Sequence, residues 1–313
     1  MTLGNTGLSI FGDDHSGENL LAYHGTMGTT FCVDSAASDD NSGESWAKAK
    51  KTIQAALDLC TARGHHTVLV HSGAYAENLT TPPNTGTGNS PFCQLIGVDP
   101  TDRGYGVYLA PASGTGDILT INARGWRVSG LEFDPATTAA GIRFTRDADG
   151  ANRSCYAQID HCHFTTGKYG IHSTGAPVYV TIEHNLFDSL TTAAIFSGGG
   201  DTSFASPLHW TIRYNEFREN LAHIKMGASW GLNASKIYQN ILQGTGSGYS
   251  AKDDAVIDIR GGTFGCNVVA QNALGITTAD YDAADGSCLA GTNDFWVGNY
   301  TQGGVEDANP GGG

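Results

Sequence analysis

A six-residue pattern recurs between residues 128 and 301 and constrains the fold more than any other feature of the chain. In each clear copy, an apolar residue is followed three positions later by Asn and two positions after that by another apolar residue. The clearest copies span 182–187, 212–217 and 237–242, with weaker copies at 269–274 and 296–301 and degenerate ones at 128–133 and 159–164. The asparagines are separated by 30, 25, 32 and 27 residues, being Asn185, Asn215, Asn240, Asn272 and Asn299. This spacing indicates one supersecondary unit repeated with loops of varying length.

The pattern predicts a short strand, a bend at Asn and a second strand in every copy. Asn suits the bend because it tolerates left-handed backbone angles and hydrogen-bonds nearby backbone groups. In a coil of stacked strands the bends superimpose, and we expect successive Asn side chains to hydrogen-bond one another. The predicted fold is an all-β, single-stranded parallel β-helix, a solenoid in which each coil buries its apolar face against its neighbours. The 43 glycines, dispersed through 313 residues, suit short strands and many tight bends.

The charge and hydropathy of the chain argue against two classes of partner. The 17 basic and 31 acidic residues give a net charge of −14, whereas affinity for nucleic acid rests on Lys and Arg at phosphates. No apolar run approaches the roughly 18 residues of a membrane span. The N-terminus has neither the basic start nor the apolar core of a signal peptide, which predicts synthesis in a cytosol or a leader already removed.

The seven cysteines are odd in number and widely spaced, and none forms a Cys-x-x-Cys pair. This argues against a zinc or redox motif. The sequence therefore predicts buried thiols, with a disulfide between Cys266 and Cys288 as the alternative.

The sequence before the repeats predicts a cap for the solenoid. Residues 1–30 form an N-terminal arm with little core of its own, and residues 31–80 form the first coil with a capping helix. That helix is predicted over 46–62 because its apolar residues follow helical spacing and Gly64 is a good stop. Strands are predicted at 31–34 and 67–71 and a turn at 72–78. Residues 81–301 form the coils and residues 302–313 a Gly-rich tail.

Three stretches that precede the Asn-containing coils also have distinctive sequences. They are Val33-Asp34 with the polar segment after it, residues 52–56 (TIQAA), and residues 67–78 (TVLVHSGAYAEN). Over residues 31–301, the chain resembles the right-handed parallel β-helix proteins of the pectate-lyase-like superfamily. That resemblance implies the fold but not one activity. Members include polysaccharide lyases, glycoside hydrolases, carbohydrate esterases, phage tailspikes and non-enzymatic virion or adhesin parts, so function must be argued from a site.

Alternation along the second strand of each coil identifies side chains that face outward. If these strands stack in register about 4.8 Å apart, the outward residues form one column. A basic, aromatic and acidic column suits an acidic sugar chain, although outward charges can also be an ordinary solvated face. The predicted substrate-binding residues are Arg143 and Phe196, and the candidate catalytic residues are His172, His223, Lys225, Asp258 and Arg260.

Two reaction types make different demands on these residues. A lyase needs a cation that neutralises the uronate, a base for the C5 proton and an acid for the leaving oxygen, and Lys, His and Arg are present. A glycoside hydrolase needs two carboxylates facing each other across the bond. The clustered acids Asp253, Asp254 and Asp258 do not match the paired aspartates of the polygalacturonase-like members. No cofactor is predicted, with calcium at these acids as the one alternative; no metal ligands are assigned.

The first functional prediction is a virion-associated structural protein of a phage, such as a capsid decoration, spike or fibre component that contacts host glycans. It accounts for the leaderless Met1, the free cysteines and the absence of a matched catalytic motif. The expected partners are other virion subunits in a homo-oligomer or lattice, after assembly in the host cytoplasm. The alternative is an extracellular polysaccharide lyase or glycoside hydrolase acting on an acidic polysaccharide. The sequence leans towards the non-enzymatic role, and a surface adhesin is a third candidate.

Overall fold

A computed structural model describes residues 28–61, 64–82, 92–98, 106–135, 137–145, 155–198, 207–227, 231–243, 256–260, 265–291 and 293–311. Residues 1–27 of the predicted N-terminal arm lie outside the described residues, as do Asp253 and Asp254. No helix in the described part of the chain is long and apolar enough to cross a membrane.

Short strands form three parallel sheets, named A, B and C in the order in which each full coil visits them. Sheet A contains Thr30–Val33, Thr67–Val70, Cys93–Gly97, Trp126–Ser129, Gln158–Asp160, Thr181–Glu183, Thr211–Arg213, Lys236–Tyr238, Val268–Ala270 and Phe295–Val297. Sheet B contains Gly73–Ala76, Val107–Ala110, Glu132–Phe133, His163–Thr165, Leu186–Asp188, Glu216–Arg218, Ile241–Leu242, Ala273–Leu274, Asn299–Thr301 and Gly304–Glu306. Sheet C contains Leu79–Thr80, Leu119–Ile121, Ala140–Phe144, Tyr169–Ser173, Ala193–Ser197, Ile224–Met226, Ile257–Asp258 and Cys288–Leu289. The predicted right-handed parallel β-helix is confirmed.

The recurring asparagines lie at the bend between sheets A and B and form a hydrogen-bonded ladder. The side-chain amide of Asn185 donates to Oδ1 of Asn215 at 3.0 Å, and the same contact continues through Asn240 and Asn272 to Asn299 at 3.1, 2.9 and 3.0 Å. Each amide also donates to a carbonyl of the preceding coil. Because these buried groups satisfy one another, the ladder fixes the register of successive coils. The predicted contact between Asn side chains is confirmed.

The left-handed residue of each bend is the one before Asn, and not Asn itself as the sequence suggested. The φ angle is +56° at His184 and Tyr214, +55° at Gln239 and +56° at Gln271. The preceding residue therefore carries the unusual backbone angle, and its side chain points to solvent. The Asn side chain is left facing inward, where the ladder forms.

The core consists of equivalent apolar side chains stacked from coil to coil. The rings of Phe133, Phe164, Phe187 and Phe217 stack at 5.0, 4.8 and 4.9 Å between centroids. Gly170 faces this stack, and a Cβ atom there would lie 2.7 Å from Phe187. The aromatic column thus leaves no room for a side chain at that position.

The N-terminal cap is shorter than the sequence predicted. It comprises a 3₁₀ turn, Trp46–Lys48, and an α-helix, Ile53–Leu57. The residues between them are extended because the backbone of Lys50 hydrogen-bonds the first strand of sheet A, at Cys32 and Asp34. The helix begins where the Glu77 carboxylate accepts from the N–H groups of Ile53 and Gln54 at 2.8 and 3.0 Å. Its buried residues, Ile53, Ala56 and Leu57, close the core.

At the other end, a short helix, Thr278–Tyr281, and the C-terminal residues cover the last coil. The N–H of Trp296 donates to Oδ1 of Asn309 at 3.1 Å, and that of Gly298 donates to Oδ1 of Asp307 at 2.9 Å. These side chains satisfy backbone donors beside the last strand of sheet A, which has no further strand to pair with in the described part of the chain.

None of the seven cysteines is in a disulfide, and all except Cys266 are buried. The predicted buried thiols are confirmed for six of them. The alternative disulfide between Cys266 and Cys288 is not formed.

Candidate functional site

Five of the predicted residues occupy paired positions on five consecutive strands of sheet C. Arg143 pairs with His172, His172 with Phe196, Phe196 with Lys225, and Lys225 with Asp258. We call these five residues the sheet C strip. Thr120 continues the column on one side and Leu289 on the other. Because neighbouring strands are about 4.8 Å apart, the strip is about 19 Å long.

Arg143 is held at one end of the strip by Asp117. Its Nη2 donates to Oδ1 of Asp117 at 3.0 Å, and its Nε donates to Oδ2 of the same carboxylate. Asp117 also accepts from the backbone N–H of Ala140 at 2.8 Å. The guanidinium is therefore fixed in place, and about a quarter of its side chain, 26%, is exposed to a ligand.

His172 is the second residue of the strip, between Arg143 and Phe196. Its ring is 4.4 Å from that of Tyr169 and 5.3 Å from that of Phe196, and its Nε2 donates to the carbonyl of Gly198 at 2.9 Å. Burial lowers the pKa of His172 to about 4, and the charge of Arg143 contributes in the same direction. The imidazole is thus neutral at neutral pH, with Nδ1 as an acceptor that has no hydrogen-bond partner among the described residues.

Two lysines on this face, Lys225 of the strip and its neighbour Lys168, lack a carboxylate partner in the described part of the chain. Lys225 is half-buried and makes no hydrogen bond or ion pair there. The Nζ atom of Lys168 lies 5.2 Å from the centroid of the Tyr169 ring, in a cation–π contact. Both ammonium groups are therefore available to an anionic ligand.

Asp258 and Arg260 form an ion pair at the other end of the strip. The Nε and Nη2 atoms of Arg260 donate to the two carboxylate oxygens of Asp258, each at 2.9 Å. This contact raises the pKa of Arg260. The Asp258 side chain is only 9% exposed while that of Arg260 is 53% exposed, so the arginine is the group that a ligand meets.

His223 was predicted to face outward, and this was wrong. It is fully buried, its Nε2 donates to the carbonyl of Gln243 at 2.5 Å, and its Nδ1 contacts the Asn220 amide at 3.2 Å. His223 lies one residue before the strand Ile224–Met226 begins. The inward–outward alternation of strand side chains therefore does not determine where its side chain points. Val256 is buried for the same reason, because it precedes Ile257–Asp258.

Sequence reasoning missed Tyr169, Lys168 and Asp117. Strict alternation from the inward Ile171 would place Tyr169 inside, but the pleat is interrupted at Gly170, which itself points inward. Tyr169 therefore packs on the outer face with Ala140 and Ala193, and its ring stacks on Phe196 at 5.0 Å. A Gly before an apolar strand residue was the one available signal, because Gly in a strand often marks such an irregularity.

A second charged cluster lies on sheet A. Arg127 donates to both carboxylate oxygens of Asp160 at 2.7 and 2.6 Å, and both side chains are almost fully buried. Burial alone would raise the pKa of Asp160, but the hydrogen bonds and charge of Arg127 outweigh it and lower the pKa to about 2. Among the described residues, no group of three or more His, Cys, Asp or Glu side chains is arranged to hold a metal ion.

No protein-family model matches the sequence, and no curated protein matches it either. Solved structures do match. An alginate lyase from Paenibacillus sp. str. FPU-7 is 13% identical with a TM-score of 0.59, and the match covers 80% of this chain and 83% of that one. A pectin methylesterase from Aspergillus niger is 13% identical at a TM-score of 0.45, covering 91% and 89%. The pectate lyase Pel9A is 12% identical at 0.44, covering 91% and 79%.

The similarity to the alginate lyase agrees with the parallel β-helix that the sequence predicts. At 13% identity, the similarity to the alginate lyase establishes the fold and assigns no residue a role. The virion role expected from the sequence stays a prediction.

Proposed function

We propose that the outer face of sheet C binds an acidic polysaccharide and that the chain cleaves it as a polysaccharide lyase. One observation carries the proposal: cationic, aromatic and acidic side chains occupy paired positions on five consecutive strands. The strip is about 19 Å long, which is enough to contact several consecutive sugars. The half-buried ring of Phe196 offers an apolar surface to one of them.

The charge of this face favours an anionic polymer. Among the described residues it carries two carboxylates, Asp117 and Asp258, and four cations, namely Arg143, Lys168, Lys225 and Arg260. The chain as a whole has a net charge of −14. A locally positive face on an acidic protein attracts a polyanion, while the rest of the surface repels it.

The end of the strip near Lys225 has the groups that β-elimination requires. Arg260 would neutralise the carboxylate of a uronate, which makes the C5 proton more acidic, and Asp258 holds that arginine in place. The uncharged amine form of Lys225 would take the proton and become an ammonium, the electron pair would form a double bond between C4 and C5, and the C4–O bond would break. The leaving oxygen would receive its proton from water. Arg143 and His172 lie three and two strands away, so they would bind neighbouring sugars.

The test is an assay for unsaturated chain ends with a panel of polyuronates, including alginate and pectate. We expect product from the wild type and none from the Lys225→Ala variant. The matched control is Lys236→Ala, which removes an exposed lysine from sheet A and should leave the activity unchanged. Wild-type protein that produces no unsaturated ends, or a Lys225→Ala variant that remains fully active, would contradict the lyase proposal.

A second candidate is the structural role in a phage virion. The observation that favours it is a set of large apolar side chains exposed at the C-terminal end of the rod, where Ile241, Tyr300 and Val305 are 54%, 51% and 55% exposed. Surfaces of this kind mark sites of protein association. Electron microscopy of purified phage particles labelled with antibody against the chain would test this role, and particles without label would contradict it.

A further inference from the structure

An apolar column runs down the outer face of sheet B in the last coils. Ile241 pairs with Ala273, Ala273 with Tyr300, and Tyr300 with Val305. All four side chains are exposed. One strand earlier, the same column holds Glu216, which is ion-paired with Arg218. The column thus changes from charged to apolar towards the C-terminus.

Four uncharged amides lie beside this column. Gln239 and Gln271 precede it at the bend from sheet A, and Gln243 and Gln302 follow its strands, all four of them exposed. Glu306 does not join the surface, because its carboxylate accepts from the hydroxyls of Thr278 and Thr301 at 2.8 and 3.0 Å. An apolar centre with an uncharged polar rim has the anatomy of a protein interface.

The column ends at an open sheet edge. The last strand, Gly304–Glu306, pairs on one side with Asn299–Thr301 in a tight antiparallel hairpin. No strand in the described part of the chain pairs with its other side. Such an edge presents unpaired N–H and C=O groups, which favour the addition of another strand.

We propose that the edge of Gly304–Glu306 pairs with the same edge of a second copy of this chain, making a two-fold symmetric dimer. Antiparallel pairing of a strand with itself satisfies both edges at once, and the two-fold axis then passes close to Val305. The apolar columns of the two copies meet on the same side of the joined sheet. Because the column and its four glutamines are uncharged, two chains of net charge −14 oppose few like charges here, and the nearby Asp307 accepts from the N–H of Gly298 at 2.9 Å.

The test measures the mass of the full chain in solution by sedimentation over a range of concentrations. The wild type should show a concentration-dependent dimer, and Val305→Lys should weaken it at least about tenfold, because two lysines would face each other across the axis. Trp46→Lys is the control, since Trp46 is 45% exposed at the opposite end of the rod. That variant should dimerise like the wild type.

A second variant tests the pairing geometry. In a Cys266→Ser background, which removes the exposed thiol, Val305→Cys should form a disulfide-linked dimer under mild oxidation, since the axis brings the two introduced thiols together. A wild type that remains monomeric at all concentrations overturns the proposal. So does a dimer that persists unchanged in Val305→Lys, because it would use another surface.

Discussion

At the scale of single residues, burial decides what the two histidines near sheet C can do. His172 and His223 each have a pKa lowered to about 4, in both cases mainly by burial. Each is therefore neutral near pH 7, and neither serves as a cation for a uronate. Residue type alone suggested a base or an acid at both positions, and it could not reveal that His223 donates to the carbonyl of Gln243 inside the bend.

His223 makes a prediction for the dependence of stability on pH. Its folded pKa of about 4 lies below the value of about 6.5 expected in the unfolded chain, so folding favours the neutral ring. The contribution of the neutral His223 ring to the free energy of unfolding is therefore complete above about pH 6.5 and is lost as the pH falls towards 4. We expect this residue to remove roughly 3 kcal/mol of unfolding free energy over that range.

Urea unfolding of wild type and His223→Gln at stepped pH values measures this effect. The glutamine variant should start less stable near neutral pH and should lose less stability on acidification. Parallel pH profiles for the two proteins would show that His223 does not titrate with folding.

At the scale of elements, the sequence predicted the strands better than the cap or the outer face. The Asn pattern located the bends because each buried Asn must meet an Asn one coil away, and this requirement is visible as a repeat. The helix over 46–62 failed because backbone hydrogen bonds from Lys50 to the first strand outweigh local helical spacing. Tyr169 was missed because the interruption of the pleat at Gly170 depends on packing against Phe187 in the next coil.

The ladder itself makes a prediction. Asn215→Ala would leave the backbone N–H and side-chain amide of Asn185 and the carbonyl of Ile182 without their partner. Unsatisfied buried groups are costly, so we expect a loss of about 2–5 kcal/mol in unfolding free energy, measured by urea titration. Gln239→Ala, at an exposed position one residue before Asn240, is the control and should cost much less. A similar small loss in both variants would mean that the ladder does not hold the coils together.

At the scale of the whole molecule, the rod presents surfaces of different chemistry on its different faces. The outer face of sheet C is cationic and aromatic, whereas sheet B becomes apolar and uncharged near the C-terminus. The register of the stacked strands produces these surfaces, because each coil adds one residue to each column. The sequence predicted the column from Arg143 to Asp258 through this register, while the ion pairs with Asp117 and Arg260 depend on side-chain geometry that no repeat encodes.

The central claim is that the face of sheet C binds an acidic polysaccharide, and equilibrium binding of a polyuronate and of a neutral glucan tests it most directly. The double variant Lys168→Ala/Lys225→Ala removes the two lysines of this face, and Lys48→Ala/Lys236→Ala removes two exposed lysines elsewhere. We predict that the wild type binds only the polyuronate, that added salt weakens binding, and that only the first variant loses about tenfold or more in affinity. Equal binding of the neutral glucan, or equal affinity of the two variants for the polyuronate, would contradict the claim.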